Sequence, residues 1–362
     1  MSTPRQVTKV LITAGGTGGH VFPALSAAKQ FQACGVEVLW VGTRQGIEAR
    51  LVPANQLPIE YLDVAGVRGQ GLARLFWAPI KIIRAVVQVL ILVRRFQPDL
   101  VLGMGGFVTG PTGLGVWLSG RPVFIHEQNA VAGFTNKLLA RIARRVFQAF
   151  PGAFPASSKV ETVGNPVRAD IVALAAPERR YQERQGPLRV LVLGGSQGAV
   201  ALNEIVPQAL ARAGIEFNVR HQAGERHLAS AQAAYDAASV AAEVVPFIDD
   251  MAAAYGWADL VICRSGALTV SELAAAGVAS LLIPYPHAVD DHQTTNGHYL
   301  SDAGAALLVA QRELTADALT ALLQTRLNSR ERLLEMALQA RAQAMQGATV
   351  KLVNQCLEVA RG

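Results

Sequence analysis

Short apolar runs alternate with longer stretches of helical period along most of the 362 residues, the pattern of parallel strands covered by helices on both faces. In the first half the runs predict strands over 9–13, 36–41, 100–103, 122–126 and 146–149, with helices over 23–34, 72–96, 110–119 and 132–143. The pattern then restarts. A charged stretch broken by Gly and Pro, 178–188, leads into a strand at 189–195 and a helix from about residue 201. Further strands are predicted over 216–221, 242–246, 260–263 and 280–283, and further helices over 227–238, 249–255, 268–276 and 291–302. A last helix, 329–345, is expected to return to the first half, since its length exceeds what one Rossmann-like core needs.

One device occurs twice. VLITAGGTGG and VLVLGGSQGA are each an apolar strand ending in two glycines, then Thr or Ser, and they begin 180 residues apart. This repeat predicts two similar α/β domains that bind ligands at the carboxyl ends of their strands, with a shared cleft able to hold two substrates. The expected division is 1–166, 167–340 and a C-terminal helical segment, 341–362, that rejoins the first domain. That division suits the length, which exceeds what one core usually supports.

Charge sharpens the contrast between the halves. Residues 1–166 hold 17 Lys and Arg against 7 Asp and Glu, whereas residues 167–362 hold 16 against 20, so +10 faces −4. A polyanion or an anionic surface is therefore expected at the first half. Nucleic acid fits poorly, because no dense basic stripe or basic-aromatic motif is present. An anionic membrane fits better: in the run over 72–95 the basic residues flank apolar ones, yet Lys81 and Arg84 interrupt it too soon for a spanning helix. Three scattered cysteines form no ligand cluster, and the N-terminus has no apolar core of a secretion signal, so a reducing compartment is expected.

The glycine turns raise the chemistry. Glycines at Gly15, Gly16, Gly18 and Gly19 clear space at the end of the first strand, and a helix beginning near His20 aims its N–H groups there. A dinucleotide fingerprint needs G-x-G-x-x-G and a later acid, and neither turn has that spacing; no G-x-x-x-x-G-K-[ST] loop occurs either. A phosphate-bearing ligand that is not a hydride carrier remains.

Seven blocks in order, ITAGGTGGHVFPALSAA, GMGGFVTGP, HEQNAVAGFTNKLLARIA, VGNPVR, LGGSQGA, FIDDMAAAYGWADLVICRSGALTVSELAAAG and DDHQTTN, resemble the transferases that add N-acetylglucosamine to the undecaprenyl-diphospho-muramoylpentapeptide precursor of peptidoglycan. The resemblance runs from about residue 9 to 340. It implies a glycosyltransferase B fold of two Rossmann-like domains and inversion at the anomeric carbon without metal or cofactor. The implied donor is UDP-N-acetylglucosamine, and the implied acceptor is lipid I at the cytoplasmic face of the inner membrane.

Inverting transfer needs a base at the acceptor hydroxyl and stabilisation of the departing diphosphate. His20 is the expected base, kept neutral by the helix end, with Glu127 either orienting the chain or sharing the proton. On the donor side the resemblance implies Thr17, Gly18, Gly19, Asn129, Arg168, Ser196, Gln197, Gly198, Ile248 and Arg264. It also implies the helix start Gly266, Ala267, Leu268 and Thr269, then Glu272 for the ribose hydroxyls and Gln293 and Asn296 for the sugar. Gly105, Gly106 and Phe107 fall on the acceptor side.

Two positions depart from the forms common in that family: Phe107 replaces a tyrosine, and His292 replaces a glutamine. The acid pairs Asp249–Asp250 and Asp290–Asp291 invite a magnesium reading, but adjacent acids at helix starts more often cap them. For the membrane, Leu75, Ile82, Val86 and Val89 are expected on one stripe, flanked by Lys81 and Arg84, with Phe76 and Trp77 in the interfacial layer. Two other readings stay open: a UDP-sugar 2-epimerase or another enzyme of this fold with a soluble substrate, and a noncatalytic nucleotide-sugar-binding scaffold at the membrane.

Overall fold

A computed structural model describes residues 6–64, 72–182, 184–195 and 198–361, with side chains except at 72–78, 289 and 361. It divides into two compact units, one running to Arg168 and resuming at Gly347, the other comprising Ala169–Gln346.

The first unit is built on seven parallel strands, β1 (Lys9–Thr13), β2 (Glu37–Gly42), β3 (Ile59–Tyr61), β4 (Leu100–Gly103), β5 (Val123–Glu127), β6 (Arg145–Gln148) and β7 (Val160–Thr162), in the order β3-β2-β1-β4-β5-β6-β7. Its helices are α1 (Gly18–Ala33), α2 (Glu48–Ala54), α3 (Leu72–Phe96), α4 (Thr109–Leu118) and α5 (Phe134–Leu139). Both faces of the sheet are covered, which explains why its strands read as unbroken apolar runs. Along β1, Val10 and Ile12 enter one core with Phe31 and Trp40, and Leu11 enters the opposite one with Val89, Val116 and Leu139.

The second unit has two short leading helices, α6 (Ala169–Val172) and α7 (Pro177–Gln182), and six parallel strands. These are β8 (Leu188–Leu193), β9 (Phe217–Gln222), β10 (Ala242–Val245), β11 (Leu260–Cys263), β12 (Ala279–Leu282) and β13 (Ala306–Leu308), in the order β10-β9-β8-β11-β12-β13. The covering helices are α8 (Val200–Arg212), α9 (Leu228–Ala237), α10 (Met251–Trp257), α11 (Ala267–Ala276), α12 (His292–Ser301), α13 (Ala316–Thr325) and α14 (Arg330–Ala342). At the amino ends of its strands lies Asp259, fully buried, which accepts from Arg184 and from the Arg189 amide at 2.9 Å and is ion-paired with Arg330, whose Nε lies 3.3 Å away. A buried charge of this kind is tolerated only when so paired.

One expectation is corrected. The helix predicted over 329–345 does not return to the first unit: α14 buries Leu333, Met336 and Ala337 in the second unit's own core. Gly347, at φ +69°, breaks the chain after it. The helix that rejoins the first unit is the next one, α15 (Ala348–Arg361), which buries Leu352, Val353, Cys356 and Leu357 against α1.

The stripe on α3 is corrected as well. Val89 is fully buried, Val86 half-buried and Ile82 42% exposed, although seven residues should bring Ile82 and Val89 to one face. The difference comes from what covers the helix: α4 closes on its C-terminal half, where Gly115 lets Val89 approach. The exposed apolar stripe is Ile80, Ile83, Val87 and Ile91, with Lys81 and Arg84 exposed beside it. Among the described residues, no helix is long and apolar enough to cross a membrane.

Candidate functional site

In the first unit, β1, β4 and β5 are neighbours, so their carboxyl ends bring three loops together: 14–19, 104–108 and 128–133. Thr17 is the N-cap residue of α1, its side chain making no capping bond; Gly18, Gly19 and His20 form the helix's first turn. His20 Nδ1 lies 3.4 Å from the Thr17 hydroxyl. The opposite edge of the ring rests on Gly105, where a Cβ would come within 2.5 Å of Cδ2 and 2.9 Å of Nε2. Gly105 and Gly106 both adopt positive φ, +94° and +85°, so a side chain there is excluded by backbone and by space. Phe107 follows, 39% exposed.

Glu127, at the end of β5, is buried and accepts four hydrogen bonds: from the Asn129 amide and side chain at 3.0 and 3.1 Å, the Gly133 amide at 3.0 Å and Asn136 Nδ2 at 2.9 Å. Both oxygens are thereby engaged in holding the 128–136 loop in shape. Its neighbour His126 is buried with Nε2 2.9 Å from the Gly164 carbonyl and Nδ1 3.2 Å from Gln128. Asn165 donates to the Gln128 carbonyl, so this network anchors the VGNPVR segment. Arg168, at that segment's end, lies over the ring of Phe22 at 5.8 Å.

In the second unit the corresponding ends of β8, β11 and β12 carry 194–199, 264–266 and 283–285. Ser196 and Gln197 fall outside the described residues; Gly198, at φ +75°, packs so closely on the Ala223 carbonyl that no Cβ fits. Gly266 is the N-cap of α11, and Ala267, Leu268 and Thr269 form a first turn with no side-chain cap and no acid. Such a turn presents N–H groups to an anion.

Glu272, one turn further, is buried and accepts from the Tyr255 hydroxyl at 3.0 Å. Arg264 is half-buried and donates to the Ile283 and Pro284 carbonyls, both at 3.2 Å, and to Gln311 at 2.6 Å, while stacking near Tyr285. Gln293 accepts from the Tyr285 amide at 2.9 Å, and buried Asn296 donates to the Ser265 carbonyl at 3.3 Å. His292 opens α12, and Ile248 lies half-buried in the loop between β10 and α10. Asp250 caps α10, its carboxylate accepting from the Ala253 amide at 2.8 Å. Burial pushes the Cys263 thiol up to about 12, which leaves no thiolate beside Arg264.

Several further residues shape these loops. Glu48 is buried beneath the first glycine turn and accepts from the Gly16 amide. Gln222 clamps the second turn through both the amide and the carbonyl of Gly195. His221 bridges Tyr235 and Asn203, and Asn203 in turn holds the Ala223 carbonyl. The glycines of GTRQGIE were the one available signal for Glu48.

The two buried histidines make stability depend on pH. Burial lowers both His126 and His221 to about 4, against 6.5 for an ordinary histidine. Below pH 6.5 the unfolded chain therefore binds protons that the folded one refuses, and stability falls until the pH reaches about 4. The expected loss between pH 7.5 and pH 5 is about 2 kcal/mol per histidine. Urea unfolding followed at Trp257, the second unit's sole tryptophan, reads the His221 contribution; a His221→Gln variant should show a flatter pH dependence.

The comparisons with known proteins agree over the whole chain. Residues 10–148 match the glycosyltransferase family 28 N-terminal domain, and residues 189–352 match the family's C-terminal domain. The UDP-N-acetylglucosamine–N-acetylmuramyl-(pentapeptide) pyrophosphoryl-undecaprenol N-acetylglucosamine transferase of Nitrosococcus oceani is 53% identical over 356 residues, covering 98% of this chain and 99% of that protein. The transferase of the same name from Chromohalobacter salexigens is 54% identical, covering 99% and 98%. Among solved structures, Acinetobacter baumannii MurG is similar at 45% identity with a TM-score of 0.84, covering 97% of this chain and 99% of that one. The glycosyltransferase VinC, at 16% identity and a TM-score of 0.70 over 98% and 100% of the chains, shares the fold alone. The tandem Rossmann-like units are thus a glycosyltransferase B fold, and the chain belongs to the UDP-N-acetylglucosamine–N-acetylmuramyl-(pentapeptide) pyrophosphoryl-undecaprenol N-acetylglucosamine transferases.

Proposed function

We infer that the chain is an inverting hexosyltransferase that moves N-acetylglucosamine from UDP-N-acetylglucosamine to the muramoyl 4-hydroxyl of lipid I, giving lipid II for peptidoglycan. The observation that carries this is identity above 50% across nearly the full length of transferases of that name. In the step itself the acceptor oxygen bonds to the anomeric carbon from the face opposite the diphosphate. The carbon–oxygen bond to phosphate breaks with its electron pair going to UDP, and the hydroxyl proton goes to the base.

The base in this reading is His20. Its Nε2 edge lies on Gly105, within the acceptor-side GMGGF block, and its Nδ1 lies near the Thr17 hydroxyl. Of the two roles open to Glu127, orientation is the better supported, because four donors already occupy its oxygens. In the second unit, the uncapped start of α11 is suited to the diphosphate, and Glu272 to the ribose. Arg264, which donates to three oxygens of its own unit, is assigned to shaping the 283–285 loop. Thr17, Gly18 and Gly19, with Asn129, are assigned to the sugar, as are Gln293 and Asn296; Ile248 meets the uracil and Arg168 the phosphate.

The finer location proposed is the cytoplasmic face of the inner membrane, held peripherally. Supporting it, α3, α4 and α5 pack side by side and leave Ile80, Ile83, Ile91, Trp117, Phe134 and Leu138 exposed. Lys81, Arg84, Lys137, Arg141 and Arg144 are exposed on or next to the same helices. Apolar side chains ringed by cations are the composition that anionic lipid selects. Leu75, Phe76 and Trp77 lie where α3 begins, outside the described side chains.

The test is transfer from labelled donor to lipid I in anionic vesicles. The expected products are lipid II and UDP, at a full rate in excess chelator; epimerised sugar nucleotide would favour the epimerase, and donor binding without turnover the scaffold. Replacing both Ile83 and Ile91 with Glu should slow transfer to the vesicle-borne acceptor about tenfold or more, by removing apolar insertion, and leave a water-soluble acceptor analogue unaffected.

A further inference from the structure

We propose that Glu48 is a positioning residue for the reaction, acting through the Gly16 amide to set the first glycine turn and thereby His20. This rests on the functional reading above and extends it to a residue outside the resemblance blocks.

Glu48 is the first residue of α2 and is fully buried. Its carboxylate accepts from the Gly16 amide at 3.1 Å, the Thr43 amide at 3.0 Å and the Thr43 hydroxyl at 2.7 Å. Among the described residues no Lys, Arg or His pairs with it. A buried carboxylate without a cation is costly, and an apolar side chain of similar volume would fill this core seat more favourably.

The surroundings are nonetheless built to hold it. A Cβ on Gly15 or Gly42 would lie 2.8 Å from its atoms, and one on Gly46 would overlap the carboxylate itself. Three glycines, drawn from two loops and a strand end, make room for this one charge.

What the carboxylate supplies is direction. The Gly15–Gly16 peptide lies between two small residues and can flip at little cost unless something distinguishes its faces. Its N–H points at Glu48, and its carbonyl is on the side of Gly106, whose missing Cβ leaves room for the Gly15 oxygen. A flipped peptide would aim that oxygen at a carboxylate and lose the N–H bond. The second unit offers a control within the same chain: Gln222 accepts from the Gly195 amide at 3.2 Å and donates to its carbonyl at 3.0 Å. A neutral amide can serve either orientation, whereas a carboxylate accepts only and permits one. Gly16 precedes Thr17, the N-cap of α1, so the peptide's direction fixes how the chain enters the helix that carries His20.

The experiment compares Glu48→Gln with Thr43→Val in the full-length protein. Gln keeps the shape but must turn its NH₂ toward either the Gly16 amide or the Thr43 pair. Thr43→Val removes one bond to the same carboxylate and leaves the Gly16 bond in place. Glu48→Gln should lower kcat roughly 100-fold, the scale of a sub-ångström to ångström misplacement, with the affinity for UDP-N-acetylglucosamine changed only a few-fold, because the diphosphate and ribose residues belong to the second unit. Thr43→Val should lower the melting temperature and keep kcat.

A folded Glu48→Gln protein with wild-type kcat, or a Thr43→Val protein that loses kcat equally, overturns the proposal. Hydrogen exchange gives a second readout that needs no variant: the Gly16 amide in the wild-type protein should be protected, and exchange at the rate of an open loop overturns the clamp. If the wild-type protein transfers no sugar the functional reading fails, and the exchange measurement still judges Glu48.

Discussion

Replacing His20 with alanine is expected to lower kcat by about 10²–10⁴, the usual contribution of a positioned base, with the affinity for UDP-N-acetylglucosamine within a few-fold of wild type. The two units divide these roles. The donor residues argued above lie chiefly in the second unit, with its own sheet and core, and His20 belongs to the first. Its loss removes no donor contact within the second unit. Single-turnover rates and donor titrations on the same preparation make the comparison.

The alternative base, Glu127, makes a different prediction. If it took the proton, His20→Ala would leave the acid limb of the pH–rate profile in place; with His20 as base that limb disappears. Added imidazole, small enough for the space left above Gly105, should restore part of the rate to the alanine variant, and no rescue is expected for Glu127→Ala, where a loop clamp has gone.

Much of the fold was legible because both sheets are covered on two faces, which turns strands into continuous apolar runs. β1, β4 and β11 fall where the runs predict. The strands that escaped notice, β3, β7 and β13, are three-residue sheet edges, half-buried for the most part, too short to display a period. On α3 the helical period is legible and the burial is not, since Val89 is covered by α4 at Gly115 whereas Ile82, one face-repeat earlier, is 42% exposed.

The loops that carry the candidate site were legible from their glycines and from the repeat of the device. Their supports were not. Glu48, in RQGIEAR, looks locally like a solvated helix start, and it is buried because Gly15, 33 residues earlier, and Gly42 and Gly46 leave it space. His221 has the same character: its partners Asn203 and Tyr235 lie on α8 and α9, and only the packed sheet brings the three together. Chain-local pattern reveals a turn that must approach a ligand, but the groups that stiffen the turn are brought in by topology.

Glu272→Gln is expected to raise the KM for UDP-N-acetylglucosamine about 10- to 150-fold with kcat little changed. A ribose diol donates two hydrogen bonds to a carboxylate, and bonds to a charged group contribute about 1.5–3 kcal/mol each. A glutamine retains one acceptor oxygen and sets its NH₂ against a hydroxyl, so at least one of those bonds is lost. Because the ribose is remote from the reacting carbon, the loss falls equally on ground and transition states and appears in KM. Tyr255→Phe, which removes the hydroxyl that donates to Oε2 at 3.0 Å, should give a smaller rise, about tenfold or less, since the carboxylate stays but is less firmly oriented.

Deoxy donors decide between this role and a purely structural one. The wild-type protein should discriminate against 2′- and 3′-deoxyribose forms of the donor, and Glu272→Gln should lose most of that discrimination. If Glu272 serves only to fix α10 against α11 through Tyr255, the variant melts at lower temperature, yet its folded fraction binds donor normally and the wild type accepts the deoxy donors as well as the parent.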